Sequence, residues 1–308
     1  MERKVTIKEL VNVVELEVLA GEEGLNNIIT EVEITFPWLE FAGVLKYFES
    51  TKINLVSSKE ATYLKEIGDE LAKQRVEVLF KQNPSAFVFS RNVSVPEYFI
   101  ELGNKFNVPI LKSQLRTTSL NSKMFGFLCS RLSPRESVHG VLLDINGMGT
   151  LIVGKSGIGK SETALELVKR GHQLIADDRV EVYEKEVGVL IGEAPEVIAQ
   201  YLEVRGVGIV NVMHMFGAGA YRENKKIRLV IELEQWNKDK VYDRLGLNPE
   251  KVKYFNTELP KIVIPILPGR NNAVLVEAAA MNQKLKYLGL DGAKTLTERI
   301  GKIARGEE

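Results

Sequence analysis

Gly154-Lys155-Ser156-Gly157-Ile158-Gly159-Lys160-Ser161 decides the fold of the second half of this chain, because it fits the phosphate-loop pattern G-x-x-x-x-G-K-[ST] throughout. The apolar run 151–153 before it predicts a strand, and residues 161–170 after it predict a helix that Gly171 ends. Glycines let a backbone wrap around a polyphosphate with its N–H groups pointing inward, and a helix N-terminus favours the negative charge. We therefore expect a nucleotide site, with Lys160 on the outer phosphates and Ser161 on Mg²⁺.

Composition and charge bound what else the chain does. It has 308 residues, 44% of them hydrophobic and 27% charged, which is usual for a globular protein of one large or two smaller domains. Lys+Arg and Asp+Glu both number 41, so a general nucleic-acid binder is disfavoured. A single cysteine, Cys129, excludes an intrachain disulfide or a cysteine zinc site, and its apolar helical setting predicts a buried thiol. No signal sequence or membrane-spanning run is recognised, which predicts a cytoplasmic protein.

The first half alternates predicted strands with predicted helices, which favours an α/β domain with a parallel or mixed sheet. Thr6 and Glu9 form a capping box at the first helix. No catalytic pattern is found here, so binding a regulator, joining subunits and simple scaffolding stay open as roles. The break Arg131-Leu132-Ser133-Pro134-Arg135 predicts domains over 1–130 and 131–308. The predicted strands are 30–35, 53–56, 86–89 and 108–111, and the predicted helices are 5–13, 58–73, 96–106 and 117–131.

The second half surrounds the phosphate loop with further strands. Asn146-Gly147 predicts a hairpin turn between strands 141–144 and 150–153. Segment 202–211 is punctuated by glycines, and an ordinary loop is the first interpretation, with a mobile loop near phosphates as the alternative. The other predicted elements are a hairpin of 180–183 and 187–191, strands 227–232 and 262–267, and helices 193–201, 271–288 and 293–304.

Two adjacent carboxylates, Asp177 and Asp178, end an apolar run that follows the phosphate-loop helix directly. Neighbouring side chains on a strand face opposite ways, so we expect the two to have different functions. One would hold a metal or its waters, and the other would face the phosphoryl acceptor. The alternative is a capping or turn pair. Among the basic residues, Arg244 either acts in catalysis or pairs locally with Asp243. Arg270 ends a rigid turn that presents a cation.

Several motifs in one order resemble the HPr kinase/phosphorylase family. The resemblance covers nearly all of residues 130–290, whereas residues 1–125 match only in length and α/β pattern. It implies an α/β fold whose catalytic part is a P-loop kinase domain of the HPr kinase type, resembling phosphoenolpyruvate carboxykinase. The motifs are Val138-His139-Gly140, GKSGIGKSETALELVKRGH at 154–172, Ala176-Asp177-Asp178, LEVRGVGIVNV at 202–212, DRLGL at 243–247 and PILPGRN at 265–271.

The family's active site can be placed on this sequence one residue at a time. The resemblance implies that the phosphate loop binds ATP, or pyrophosphate as an alternative donor, with Lys160 on the phosphates. Ser161 and Glu203 match the Mg²⁺ ligands. Asp178 matches the residue that takes the proton from the HPr serine during phosphorylation and returns one in the reverse reaction.

Other matching positions complete that active site. His139 and Arg244 match the remaining family active-site residues. Segment 202–211 is the family signature tied to both activities, and segment 265–270 is tied mainly to the phosphorylase reaction. Possible supporting residues are Asp177, Arg205 and Arg270.

The resemblance also implies partners and regulation. The protein substrate is the phosphocarrier HPr, and the enzyme regulates carbon catabolite repression and sugar uptake. Family members form homohexamers and respond to fructose 1,6-bisphosphate and inorganic phosphate. We expect one pocket to serve both directions, with inorganic phosphate taking the place of a γ-phosphate in the reverse one.

Two rival functions remain at this point. A small-molecule kinase or GTPase is disfavoured by the early position of Asp177 and Asp178, and the GTPase also by the lack of an Asn-Lys-x-Asp motif. A nucleotide sensor with a DNA-binding half is disfavoured because residues 1–130 contain no helix-turn-helix with a basic recognition helix. Of the other histidines, His172 is predicted to neutralise a helix dipole and His214 to lie in the core or an interface.

Overall fold

The computed structural model describes residues 3–240, 242, 250–267 and 269–305. The chain divides into two compact units, one up to Ser133 and the other from Pro134 on. The division comes three residues later than the predicted end of the first domain at residue 130, because the last helix of the first unit continues to Leu132.

The amino-terminal unit is built on a mixed five-stranded sheet in the order β2-β7-β6-β5-β4, in which only β2 runs antiparallel to its neighbour. Helices cover both faces, with α1 and α6 in one hydrophobic cluster and α3, α4 and α5 in the other. The strands are β1 (Val5–Thr6), β2 (Glu17–Ala20), β3 (Ile28–Ile29), β4 (Ile34–Thr35), β5 (Ile53–Val56), β6 (Phe87–Phe89) and β7 (Ile110–Lys112), and the helices are α1 (Ile7–Val14), α2 (Trp38–Phe41), α3 (Ser58–Glu66), α4 (Asp69–Phe80), α5 (Glu97–Phe106) and α6 (Thr117–Leu132).

The mixed sheet and most elements of this unit confirm the sequence prediction. The capping box of α1 is present, with the Glu9 amide 3.3 Å from Thr6 Oγ1 and the Thr6 amide 2.8 Å from a Glu9 oxygen. The single helix predicted over 58–73 is wrong, because Gly68 has a φ of +84° and separates α3 from α4. The strand predicted over 30–35 is shorter in the structure, where only β4 is extended. Strand β2 was not predicted.

The carboxy-terminal unit is organised by an eight-stranded sheet in the order β10-β8-β11-β12-β15-β17-β16, with β9 paired to β8 and β15. A separate two-stranded sheet consists of β13 and β14. The strands are β8 (Arg135–Ile145), β9 (Met148–Gly154), β10 (Gln173–Ala176), β11 (Arg179–Glu186), β12 (Val189–Glu193), β13 (Tyr201–Val204), β14 (Gly208–Asn211), β15 (Asn224–Gln235), β16 (Glu250–Tyr254) and β17 (Thr257–Ile266), and the helices are α7 (Lys160–Lys169), α8 (Val212–Phe216), α9 (Asn272–Tyr287) and α10 (Gly292–Arg305).

The hairpin predicted at Asn146-Gly147 is confirmed, and both turn residues have positive φ, 51° and 89°, as a type I′ turn requires. The helix predicted over 193–201 is wrong: β12 continues to Glu193, and only a short 3₁₀ turn, Glu196–Ile198, follows. Strand β16 was not predicted.

The segment 202–211 is also not an ordinary loop but the hairpin of β13 and β14. Leu202 and Val204 are buried, whereas Glu203 between them is exposed. This alternation, visible in the sequence, is that of a half-buried strand. It places Glu203 on the opposite face from the apolar residues.

Cys129 on α6 is buried, with 2% of its surface exposed, as its apolar surroundings predicted. In the part of the chain that the structure describes, no helix combines the length and the apolar character needed to cross a membrane.

Candidate functional site

The phosphate loop joins the end of β9 to the start of α7, which confirms the strand–loop–helix prediction. Gly154 is held so close to β15 that a Cβ at this position would lie 2.5 Å from the Leu233 carbonyl oxygen. Gly159 precedes α7 with a φ of +97°, a conformation that glycine adopts without strain. The loop is therefore shaped by backbone demands that other residues would not meet.

The Lys160 ammonium group lies inside this loop. Its Nζ is 3.0 Å from the Gly154 carbonyl oxygen, 3.2 Å from the Lys155 carbonyl oxygen and 3.1 Å from His139 Nε2. These three acceptors match the three protons of an ammonium group. Burial lowers the pKa of Lys160, while the carboxylates of Asp178 and Asp177 act in the opposite direction. The cation is thus positioned at the loop before any phosphate binds.

Asp177 joins the start of α7 to the β13–β14 hairpin. Ser161 Oγ donates to Asp177 Oδ1 at 2.9 Å, and the Glu203 amide donates to Asp177 Oδ2 at 3.0 Å. Only 4% of Asp177 is exposed, and burial raises the pKa of its carboxyl group although these hydrogen bonds lower it. Asp177 therefore links the Ser161 side chain to the backbone of Glu203 on β13.

Asp178 lies beside His139 at the mouth of the site. His139 Nδ1 is 3.0 Å from the Asp178 carbonyl oxygen and 3.1 Å from its carboxylate oxygen Oδ1. Since a carbonyl oxygen only accepts, Nδ1 carries the proton, and Nε2 is left to accept from Lys160. A chain of contacts thus runs from Lys160 through His139 to Asp178.

The two aspartates do not lie on a strand as predicted, because β10 ends at Ala176. They nevertheless differ in surroundings, since Asp177 is buried and Asp178 is exposed. Asp178 has a φ of +63°, which turns the chain sharply between β10 and β11. This turn, rather than strand alternation, separates the two carboxylates.

These residues line one cleft of about 160 Å³. That volume is below the roughly 300–1,000 Å³ of pockets that enclose whole small molecules, and it suits a chain of phosphates better than a buried nucleoside. Arg205 closes one side: its Nη2 is 3.5 Å from Ser156 Oγ, and a Cβ on Gly157 would lie 2.7 Å from Nη1. The lining residues are His139, Ser156, Gly157, Gly159, Lys160, Ser161, Glu162, Asp177, Asp178, Glu203 and Arg205.

The cleft brings together most of the predicted site, but Gly154, Lys155 and Ile158 of the phosphate loop are not among its lining residues. Arg244, with the rest of segment 243–247, lies outside the described residues. Arg270 is exposed and does not line the cleft. Glu162 does line it and was not predicted, although its place directly after the phosphate-loop serine was a usable signal.

The oxygen donors around Ser161 suit Mg²⁺, which prefers hydroxyl, carboxylate, water and phosphate oxygens. Ser161, Asp177 and Glu203 all line the cleft, and the Asp177 carboxylate accepts from both Ser161 Oγ and the Glu203 amide. No group of three or more His, Cys, Asp or Glu side chains arranged for a metal is found among the described residues. A magnesium ion here would therefore need water and substrate oxygens as well, which is its usual mode of binding beside phosphates.

The other two histidines are not among the residues that line the cleft. His172, predicted to neutralise a helix dipole, is buried, and its Nε2 lies 3.0 Å from Glu277 Oε1 on α9. It therefore joins the end of α7 to α9. His214 is exposed on α8, so it does not lie in the core, and the alternative position in an interface stays a prediction.

Amides, a lysine and carboxylates around one cleft form the constellation that phosphoryl transfer needs. Little covalent chemistry is required of the protein, which has to hold the donor in line, balance the negative charge and receive the acceptor proton. The cleft offers a group for each of these tasks.

Two family models together match almost the whole chain. The model described as HPr Serine kinase C-terminal domain matches residues 130–300, and the one described as HPr Serine kinase N terminus matches residues 5–128. The amino-terminal half is thus similar to this family in sequence, beyond the length and α/β pattern from which the resemblance was argued.

Curated relatives are similar over the same extent. The HPr kinase/phosphorylase of Bacillus subtilis (strain 168) is 46% identical over 305 residues, which are 99% of this chain and 98% of the relative. That of Geobacillus kaustophilus (strain HTA426) is 46% identical over 297 residues, 96% of each chain. A solved structure, the Hpr(Ser) kinase/phosphatase from Coxiella burnetii, is 37% identical and covers 52% of this chain and 98% of its own, with a TM-score of 0.47.

Proposed function

The chain belongs to the HPr serine kinase family, and from that premise we propose that one pocket, the cleft over the phosphate loop, carries both reactions of the family. Its activity is phosphorylation of a serine on HPr and removal of that phosphate. The observation that carries the single-pocket proposal is the contact chain Lys160–His139–Asp178, in which both links measure 3.1 Å. The group proposed to contact the donor, Lys160, and the group proposed to act on the acceptor, Asp178, thus line the same cleft.

In the forward reaction the phosphate loop holds a nucleotide donor, which we propose to be ATP, with pyrophosphate as an alternative. The loop amides and Lys160 contact the outer phosphates. Asp178 takes the proton of the HPr serine hydroxyl while the serine oxygen bonds to the terminal phosphorus. The bond from that phosphorus to its leaving oxygen breaks, and the charge passes to the remaining phosphate chain beside Lys160.

In the reverse reaction inorganic phosphate occupies the position of the phosphate that is left behind when the terminal phosphoryl group is transferred. This is one place further in than the γ-phosphate position expected from the sequence, and the phosphoserine phosphorus takes the terminal position. An oxygen of inorganic phosphate bonds to the phosphorus of phosphoserine, the bond to the serine oxygen breaks, and Asp178 returns a proton to that serine oxygen. The products are serine and pyrophosphate. Since both directions use the same groups, the supply of inorganic phosphate selects between them.

Basic residues are proposed to balance the remaining negative charge of the phosphates. We propose that Arg244 balances charge developed in the transition state, and that Arg205, which lies over the loop near Ser156, supports the donor. Arg270 and segment 265–270 are proposed to act mainly in the phosphorylase reaction. His139 orients Asp178 through its Nδ1 proton and keeps Lys160 in place through Nε2.

Ser161 and Glu203 are the proposed Mg²⁺ ligands, with Asp177 behind them. A bound Mg²⁺ ion would supply charge neutralisation across neighbouring phosphate oxygens. Asp177 keeps the two ligands together because it accepts from both Ser161 Oγ and the Glu203 amide.

Glu203→Gln should raise the Mg²⁺ concentration needed for half-maximal kinase rate by about 10- to 100-fold. The amide keeps the size of the side chain but removes its negative charge, and the backbone contact with Asp177 is unaffected. A magnesium titration of the initial rate measures the effect. Glu196→Gln, an exposed glutamate that does not line the cleft, serves as control, and an unchanged titration for Glu203→Gln would contradict the assignment.

The assembly and the regulation of this chain are proposed from its family membership. We propose a homohexamer in the cytoplasm that responds to fructose 1,6-bisphosphate and inorganic phosphate, and for the amino-terminal unit a regulatory or assembly role. Sedimentation of the purified chain with and without each effector tests the assembly.

The function itself is tested by mass spectrometry of purified HPr. With ATP and Mg²⁺ we expect HPr to gain one phosphate on serine, and with excess inorganic phosphate phosphoserine-HPr should lose it while pyrophosphate appears. A small-molecule kinase or a nucleotide sensor would leave HPr unmodified, and this result would overturn the proposal.

A further inference from the structure

A second cavity, of about 680 Å³, opens in the amino-terminal unit. Its size falls within the roughly 300–1,000 Å³ of small-molecule sites. The lining residues come from the segments that directly follow strands β4 and β5 and from helices α2, α3 and α6, so the cavity lies at the carboxyl edge of the parallel strands. They are Phe36, Trp38, Ser57, Lys59, Glu60, Tyr63 and Thr117.

The cavity exists because helices leave this edge of the sheet on opposite faces. Leu64 of α3 packs in the cluster that contains Val56, whereas Leu120 of α6 packs in the cluster that contains Leu55. Val56 and Leu55 are neighbours on β5 and point to opposite sides. A crevice outside the carboxyl ends of parallel strands, where flanking helices separate, is the usual place for ligands in open α/β sheets.

Aromatic rings form the apolar part of the cavity. Trp38 is 57% exposed and Phe36 is 36% exposed, although both are large apolar side chains. Tyr63 is held in place, since its hydroxyl is 2.6 Å from Arg75 Nη1. Exposed rings around a concave surface favour a planar partner that stacks on them or meets their edges.

The polar part of the cavity favours an acidic group. Helix α6 begins after Arg116 without a side-chain cap, so its first amides carry the partial positive charge of a 16-residue helix. Lys59 adds a full positive charge to the lining. The one lining carboxylate, Glu60, is already engaged, because it accepts from the amide and the hydroxyl of Ser57 in the capping box of α3.

From these observations we infer that this cavity binds a small molecule in which a planar ring is joined to a phosphate or carboxylate group. The ring lies against Trp38 and Phe36, and the acidic group lies at the α6 N-terminus near Lys59. The inference concerns the amino-terminal unit alone and does not depend on the function proposed for the phosphate loop.

Fluorescence of Trp38 in the full-length chain tests this site. The chain has two tryptophans, Trp38 and Trp236, so Trp236→Phe leaves Trp38 as the sole reporter. With excess pyrophosphate and Mg²⁺ present to occupy the phosphate loop, adenosine 5′-monophosphate should quench Trp38 to saturation. Adenosine, which lacks the acidic group, should bind at least about tenfold more weakly, and ribose 5-phosphate, which lacks the ring, should not quench.

A pair of substitutions at Thr117 isolates the helix amide. Thr117→Pro removes the first amide of α6 at a position where helices accept proline, and Arg116 before it already has φ −65° and ψ 153°, which suit a residue before proline. Thr117→Ala keeps the amide and removes the methyl group and the hydroxyl, which donates to Ser90 Oγ at 3.0 Å. The affinity for adenosine 5′-monophosphate should fall about tenfold more in the proline variant than in the alanine variant.

Lys59→Gln provides a second variant that changes only an exposed side chain. It should also weaken binding of adenosine 5′-monophosphate and leave adenosine unaffected. Several results would overturn the inference: no saturable quenching by adenosine 5′-monophosphate, equal affinities for the two Thr117 variants when circular dichroism shows both folded, or a signal that follows protein concentration. The last would make this surface a contact between copies of the chain.

Discussion

The Asp178→Asn protein should lose both kinase and phosphorylase activity, each by about 10²- to 10⁴-fold. Asparagine keeps the size of the side chain but cannot take a proton from serine or return one to it. The backbone should be undisturbed, because Asp178 has a φ of +63° and asparagine is among the residues most often found in that conformation. A loss of rate can therefore be attributed to the carboxylate and not to a changed turn.

Rates with HPr and ATP, and with phosphoserine-HPr and inorganic phosphate, measure the two activities separately. Asp239→Asn, an exposed aspartate that does not line the cleft, is the control and should leave both rates unchanged. Binding of pyrophosphate should also persist in Asp178→Asn, since the loop amides and Lys160 remain. If one activity stayed near its normal rate while the other disappeared, the single-pocket proposal would be wrong.

What the sequence predicted best is local in the chain. The phosphate loop follows from eight consecutive residues, and the turn at Asn146-Gly147 follows from two. Both features depend on backbone conformations that these residues themselves adopt readily, such as the positive φ of Gly159. The strand–loop–helix arrangement therefore needed no knowledge of distant contacts.

The features that the sequence did not predict depend on such contacts. Asp177 accepts from the amide of Glu203, which lies 26 positions further along the chain, and an amide is present at nearly every residue. No residue type marks this partner in advance. The chain of contacts from Lys160 to His139 is similar, because it forms only when β8 pairs with β11 and places His139 opposite Arg179.

Glycines misled the prediction in both directions. The two glycines of segment 202–211 favoured a loop, yet the segment forms the β13–β14 hairpin, in which both Gly206 and Gly208 have positive φ. At Gly68 the opposite error occurred. The helical pattern of 58–73 predicted one continuous helix, although Gly68 separates α3 from α4. Glycine tolerates both conformations, so its presence alone does not decide between them.

Lys160→Ala should lower the rates of both reactions by about a thousandfold, because the lysine is the one full positive charge held within the phosphate loop in direct contact with its carbonyl oxygens. The loop accumulates phosphate charge in either direction, so the loss should be similar for kinase and phosphorylase. Lys155→Ala changes a lysine of the same loop that is exposed and does not line the cleft. As the matched control, it should keep both rates within about threefold.

The contacts of Lys160 also predict which kinetic constant changes most in Lys160→Ala. Its ammonium group is satisfied by three protein acceptors before substrate binds, so exchanging one of them for a phosphate oxygen gains little in the ground state. The benefit is greater when charge spreads over the transferring group, so kcat should fall more than KM for the donor rises. Steady-state kinetics with ATP and with pyrophosphate measure both constants. Equal losses for Lys155→Ala and Lys160→Ala would show that the loop acts through its overall charge, and would remove the specific role assigned to Lys160.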